Sequence, residues 1–359
     1  MIDRTYEDIM KEIIETPDDH IKENRTGVDT KAVFGESFIH SNMEEKGFPM
    51  VTTCRKSIKM IAVELEGFIK GNTSKKWFQD RGLPIWDDWC NPEALVKYDL
   101  NKKDDSNSDY YKRLSKSVYL CLSKLNNING VVSKKLQSKV DDVCKYFPVE
   151  FNGIYSITID KDEMLKDEAI PEAQKAVKIL AQHLEDDLGP IYGYQWRNFN
   201  GTDQLAEMVD MLKKNPADRR MLVSAWNPGD KPKMALPPCH ILFQIGCTLT
   251  DYSVLNMSWF QRSIDTPLGL PYNIASYALL LTLLAKESGK KVGRLKGDLG
   301  DTHIYMDQIE LAKEQVSREP FPFPKIEIPD FTNIFDWTHE QIELIDYKYH
   351  PHIEYPIAI

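Results

Sequence analysis

Cys239 follows Pro237 and Pro238 and precedes His240. Gln261, Arg262, Ser263 and Asp265 come about twenty residues later, and Asn273 follows Pro271. A thiolate, not a thiol, is the nucleophile, and nearby positive charge makes it accessible at neutral pH. The two prolines restrict the backbone entering Cys239 and so aim its sulfur. Arg262 stands in an otherwise apolar segment, where a guanidinium suits both a phosphate and a thiolate. Arg219 and Arg220 stand at a turn-to-strand boundary, and Arg25 lies in an Arg-Thr-Gly turn. Each has an ordinary reading as a solvated or salt-bridged charge. Taken together, they suit a phosphomonoester better than any one of them alone.

Asn273 stands at the predicted start of a helix, where asparagine is a common cap. Its amide also carries both a donor and an acceptor, which match O4 and N3–H of a uracil. An aspartate there would suit the amino edge of cytosine. His303 and Tyr305 alternate along a predicted strand and share a face, within reach of a sugar hydroxyl; a satisfied core pair is the plain alternative. Asp301 lies two residues before His303, yet no HxH or HExxH spacing occurs, and no metal set is expected.

The elements that must position these groups are legible in outline. Helical periodicity covers 3–23, 57–70, 203–214 and 273–287, and strand-like runs cover 32–34, 220–227, 239–247 and 252–260, with a hairpin around Thr250-Asp251. Residues 91–187 are rich in Lys, Asp, Ser and Asn but keep apolar helical stretches at 111–125 and 173–184 and a strand-like alternation at 149–159. They read as an inserted, partly helical subregion of a single catalytic domain spanning 1–359. Strands and helices mix without a regular βαβ alternation, which favours α+β.

The formal net charge of −10 argues against broad nucleic-acid binding, so an anionic ligand needs a dedicated arginine cluster. The polar, acidic start lacks the pattern of a signal peptide, and no apolar run approaches the roughly 20 residues of a membrane span. Cys54, Cys90, Cys121, Cys144 and Cys247 form no CxxC pair with one another or with Cys239. Reduced thiols and a cytosolic compartment are expected.

RTGV (25–28), GFPMVTT (47–53), IWDDWCNP (85–92), LGPIYGYQWR (188–197), DRRMLVSAWNPGD (218–230), MALPPCH (234–240), QRSIDTPLGLPYNIASYALL (261–280), GDTHIY (300–305) and PIAI (356–359) occur in this order. In these runs the chain resembles the folate-dependent thymidylate synthases over residues 3–90 and 188–359. The resemblance implies a large mixed β-sheet packed with helices, and a homodimer through the sheet face. It implies that Cys239 attacks C6 of dUMP, and that C5 then takes the methylene of 5,10-methylenetetrahydrofolate. Glu64 would organise water, and Tyr192 would take part in removing the C5 proton. Arg25, Arg262 and Ser263 would hold the phosphate, joined by Arg219 and Arg220 from the neighbouring subunit. Gln261 and Asn273 would hold the base, and His303 and Tyr305 the deoxyribose. Ile85, Trp86, Trp89, Asp265, Leu268, Gly269, Tyr272 and Ala358 would line the folate site, and Ile359 would close over it. Neither a fused reductase nor a metal is expected.

The chain departs from that pattern at Cys54 and Ser57, where the family commonly has lysine and histidine that hold the folate tail. It also has Glu66 and Gly67 where leucine and an aromatic are usual. Two products stay open. A synthase delivers hydride to make dTMP, whereas the sister dUMP hydroxymethylases let water capture the methylene, for which Glu66 and Gly67 would admit or orient that water.

Overall fold

Thr5 opens helix α1 (Tyr6–Glu15) with a capping box: its hydroxyl accepts from the Asp8 N–H (3.2 Å), and the Asp8 carboxylate accepts from the Thr5 N–H (2.9 Å). The helix expected over 3–23 ends at Glu15, because Thr16 precedes Pro17 and proline drives the residue before it out of the helical region. The chain continues as strand β1 (Ile21–Lys22), β2 (Thr30–His40), the short α2 (Met43–Lys46) and α3 (Ile58–Ile69), which Ser57 caps. The computed structural model describes residues 3–24, 26–86, 150–151, 155–156 and 187–357. The helices expected at 111–125 and 173–184 lie outside the described residues. The strand expected at 149–159 is two short strands, β3 (Glu150–Phe151) and β4 (Tyr155–Ser156), paired antiparallel.

The described chain forms two units. The first comprises Met1–Asn72, Tyr192–Trp226 and Pro238–Ile359; the second comprises Thr73–Ile191 and Asn227–Pro237. In the second, α4 (Lys75–Gln79) is capped by Ser74, and the Arg81 guanidinium lies 3.9 Å from the centre of the Trp77 ring. Trp86 is buried beside Phe78 (centroids 6.4 Å apart), while Ile85 is exposed.

The first unit holds the functional segments. After α5 (Tyr192–Arg197) and α6 (Gln204–Lys214) come β5 (Leu222–Ser224), β6 (His240–Thr248), β7 (Val254–Asp265), α7 (Gly269–Glu287) and β8 (Lys291–Tyr305). The chain then forms α8 (Ile309–Val316) and a β9 (Lys325–Glu327) and β10 (Glu343–Ile345) pair. The six-stranded sheet has the order β1-β2-β8-β7-β6-β5. Only its β7–β8 pair is parallel, as expected for strands joined by a crossover helix, here α7. The large mixed sheet with helices agrees with the expected α+β architecture.

Burial alternates along β7. Leu255, Met257, Trp259 and Gln261 are buried, whereas Asn256, Ser258 and Phe260 face the less covered side. Trp259 stacks on Tyr277 of α7 (centroids 5.0 Å, planes 11° apart). It occupies the space above Gly297, where a β-carbon would lie 2.4 Å from the indole. Ile274, Leu280 and Leu284 of α7 are fully buried, which accounts for that helix being apolar almost all round.

Helix α5 approaches α3 backbone to backbone at Gly193. A β-carbon there would sit 2.4 Å from Phe68 Cα. The Arg197 guanidinium ties the same helices together, donating to the Ile69 carbonyl (2.8 Å) and pairing with Asp203 (2.7 Å). Gly193→Ala must push α5 and α3 apart, and should destabilise the protein by about 1–3 kcal/mol. Denaturant midpoints of the variant and parent check this; equal midpoints would mean that the contact relaxes without cost.

Candidate active site

Cys239 is half-buried at the entry to β6. Its backbone N–H donates to the Tyr192 hydroxyl (2.8 Å). Its carbonyl accepts from the Arg262 N–H (2.9 Å), and the carbonyl of Pro238 accepts from Arg262 Nε (2.8 Å). One guanidinium nitrogen of Arg262 then lies 3.8 Å from the Cys239 Sγ. The other side of that guanidinium faces Trp226, 5.7 Å from the ring centre. A cation and a fixed backbone thus meet at one sulfur, the arrangement that favours a thiolate.

His240, next in sequence, supplies no charge there. It stacks on Tyr192 (4.2 Å), which stacks in turn on Phe68 (5.0 Å), and its Nδ1 is 2.7 Å from the Tyr277 hydroxyl. Full burial pushes its imidazole down to about 3, so it is neutral at physiological pH. Burial raises the Tyr192 and Tyr277 phenols well above the usual range, and the negative charge of Glu64 adds to the rise. Glu64 in α3 is therefore within electrostatic reach of the tyrosines beside Cys239.

Asn273 is in the second turn of α7, not at its cap. The helix starts at Gly269, four residues before the expected start, and Asp265 Oδ1 accepts from the N–H of Leu268, the residue that precedes it (3.0 Å). The Asn273 amide has a fixed direction. The Trp259 indole only donates, and it donates to Gln261 Oε1 (3.3 Å). Gln261 Nε2 then donates to the Ser263 carbonyl (3.2 Å) and to Asn273 Oδ1 (3.1 Å). The Asn273 nitrogen is left as the donor of its pair.

β7 and β8 bring Ser263 opposite Asp301 and Asp265 opposite His303. His303 and Tyr305 share a face, with rings edge-on at 5.3 Å. Asp301 accepts from Lys22 and lies 2.8 Å from His303 Nδ1, and these partners hold its carboxyl at about 2. That contact leaves the Nε2 of His303 as its outward nitrogen.

Asp265, Leu268, Gly269 and Tyr272 follow one another through the β7–α7 turn. The second oxygen of Asp265 accepts from Gln308 Nε2 (3.1 Å), which also donates to the Pro356 carbonyl (2.9 Å). Gln308 and the buried Lys56, whose ammonium donates to the Pro267 carbonyl (3.3 Å), were not singled out from the sequence. Neither has a local motif, and their burial comes from segments distant in the chain.

Arg25, Trp89, Ala358 and Ile359 lie outside the described residues. Ile85 and Trp86 belong to the second unit. The Arg219 carbonyl accepts from Gln244 (3.0 Å), and Arg220 pairs with Asp218 in an exposed turn. Gln244 is four residues along β6 from His240, about 13 Å at the usual strand rise. Glu66 spends its buried carboxylate on Lys70 (2.5 Å) and on the N–H and Nδ1 of His339 (2.9 and 2.7 Å). It thus ties α3 to the 338–341 turn. Gly67 is buried in α3, and its carbonyl accepts from Asn72 (2.8 Å).

Among the described residues, no helix is long and apolar enough to cross a membrane, and no group of three or more His, Cys, Asp or Glu side chains could hold a metal ion. The sequence profile of the family described as thymidylate synthase matches residues 4–359. The thymidylate synthase of Mycoplasma mobile is 36% identical over 355 residues, which cover 99% of each chain.

The neutral His240 carries a pH dependence. Unfolded, an imidazole takes its proton near 6.5; folded, this one resists it down to about 3. The unfolded state therefore binds more protons across that window. Stability is fully present above about 6.5 and is lost as pH falls toward 3, by roughly 5 kcal/mol from this one group. Denaturant midpoints against pH should show this slope, and His240→Gln should flatten it. An unchanged slope in the variant would assign the effect to other residues.

Proposed function

The chain belongs to the thymidylate synthase family, whose members are one-carbon transferases that use a folate cosubstrate, and on that premise we propose that it converts dUMP to dTMP through a covalent adduct of Cys239. The observation that carries this reading is the Cys239 sulfur lying 3.8 Å from Arg262, with its own N–H held by Tyr192. The pyrimidine C5–H is not acidic until a nucleophile has added at C6, so covalent catalysis divides one hard step into two easier ones. Arg262 favours the thiolate that adds.

Asn273 reads the base. With its oxygen turned toward Gln261, its nitrogen donates to O4, and the remaining lone pair of Oδ1 accepts from N3–H. Cytosine presents the opposite pattern at both positions. His303 and Tyr305 hold the deoxyribose. Ser263 and Arg262 bind the phosphate, joined by Arg25 and, across a homodimer, by Arg219 and Arg220 of the partner subunit. The open sheet face, with Leu222 and Phe260 more than a third exposed, is the surface we assign to that dimer. Tyr192, a buried neutral phenol, takes part in moving the C5 proton, and Glu64 organises the water that carries it.

5,10-Methylenetetrahydrofolate, when bound, supplies the one-carbon unit and the hydride. The residues of the β7–α7 turn suit its ring. The Asp265 carboxylate has taken two N–H donors and has acceptor capacity for more, and Tyr272 offers an aromatic face. Leu268 and Gly269 of the same turn would complete this part of the lining.

The test is incubation with dUMP and methylenetetrahydrofolate, following dihydrofolate absorbance and nucleotide mass together. dTMP with dihydrofolate is the expected outcome. A nucleotide heavier by a hydroxymethyl group, with tetrahydrofolate recovered, would replace the synthase reading by the hydroxymethylase. Cys239→Ser should still bind dUMP and lose turnover by at least about 10³-fold; a fully active variant would end the covalent mechanism.

A further inference from the structure

Lys56 is a buried lysine, 4% exposed, in the segment leading into α3. An ammonium taken out of water is costly unless its surroundings compensate it. Among the described residues, its ammonium donates to the carbonyl of Pro267 (3.3 Å). The faces of Tyr272 and Tyr355 lie 5.4 and 6.0 Å away. The N–H of the same Pro267–Leu268 peptide group donates to Asp265 Oδ1 (3.0 Å). One peptide plane is therefore held between a cation at its oxygen and a carboxylate at its nitrogen. The two contacts plus one peptide group put the charges within about 9 Å of each other.

We propose that Lys56 is a positioning residue for the folate side of the site: its ammonium locks the Pro267–Leu268 peptide and supplies the counter-charge that keeps Asp265 an ionised acceptor for the N–H donors of the cosubstrate ring. This rests on the reading above, in which the β7–α7 turn receives the folate. Burial pushes the Asp265 carboxyl up, and the Gln308 and Leu268 hydrogen bonds, His303 and Lys56 all oppose that rise. Asp265 in turn acts on the phenols of Tyr6 in α1 and Tyr355 in the C-terminal segment, which burial keeps neutral. Lys56 is pushed down by its own burial and held up by Cys54 and Asp265. Removing its charge must raise Asp265 further, so that Asp265 gains a proton at a higher pH and stops accepting from the ring.

The experiment is equilibrium binding of dihydrofolate to the protein–dUMP complex by fluorescence quenching, across pH, for the parent, Lys56→Met and Lys56→Gln. Glutamine keeps a donor for the Pro267 carbonyl without the charge, and it serves if the methionine variant does not fold. In both variants the pH at which folate affinity falls away should move upward by about one unit, with dUMP affinity within about twofold of the parent. Superimposable folate profiles would overturn the proposal. Equal weakening of dUMP and folate would also overturn it, by assigning Lys56 a purely structural role. A glutamine variant that behaves like the parent while methionine does not would overturn the counter-charge and leave only the peptide lock. Parent protein that binds dUMP but no folate would sink the functional reading itself, a result distinct from all of these.

Discussion

Arg262 is bonded to the Pro238–Cys239 segment through its backbone and its side chain at once. The backbone bond is part of the register between β6 and β7; the side-chain bond fixes the guanidinium beside the sulfur. Because β7 also pairs with β8, that register decides which residues of β8 stand opposite Ser263 and Asp265. A slip of one residue would turn every side chain of the strand to the other face. Thiol, arginine, asparagine clamp and histidine pair would then separate together. Cys239 and the side chains around it are consequently one mechanical object, held by strand pairing and one bifunctional side chain.

Charge around that object is sparing. His240, stacked on Tyr192 and edge-on to Tyr277, forms with them a hydrogen-bonded aromatic cluster without net charge, since burial keeps the imidazole and both phenols neutral. Arg262 is thus the cation placed at Cys239. Asp301 is engaged by Lys22 and His303, so this carboxylate is spent on orienting the histidine. Direction is set in the same economical way at Asn273. A donor-only indole and an acceptor-only carbonyl orient Gln261, and Gln261 orients the asparagine.

How much of this was legible in the sequence depends on the distance over which each cause acts. Helices α3 and α6 were readable because Ser57 and Asp203 cap them locally and their apolar spacing is helical. The early end of α1 was readable in principle from Thr16-Pro17. The start of α7 was hidden, because no side chain caps it and Pro271 sits within the first turn instead of announcing it. Motif spacing identified Cys239, Arg262, Asn273 and the His303–Tyr305 pair as a set. It gave no hint of Lys56 or Gln308, whose importance comes from Pro267, Asp265 and Pro356, residues brought to them only by the fold.

The placement of β8 has a consequence for how the protein is made. β2 ends at His40, and its long antiparallel partner begins at Lys291. On the other edge β2 meets the two-residue β1 and, at Ile39, the single bridge residue Arg4. A ribosome adding about 5–20 residues per second needs tens of seconds to bridge that interval. Throughout it, an eleven-residue strand has no sheet to join, and unpaired strand edges template association with other chains. The strand that ends as the neighbour of β8 therefore begins as an exposed template for aggregation, and its safety depends on whatever shields it until the last fifth of the polypeptide emerges.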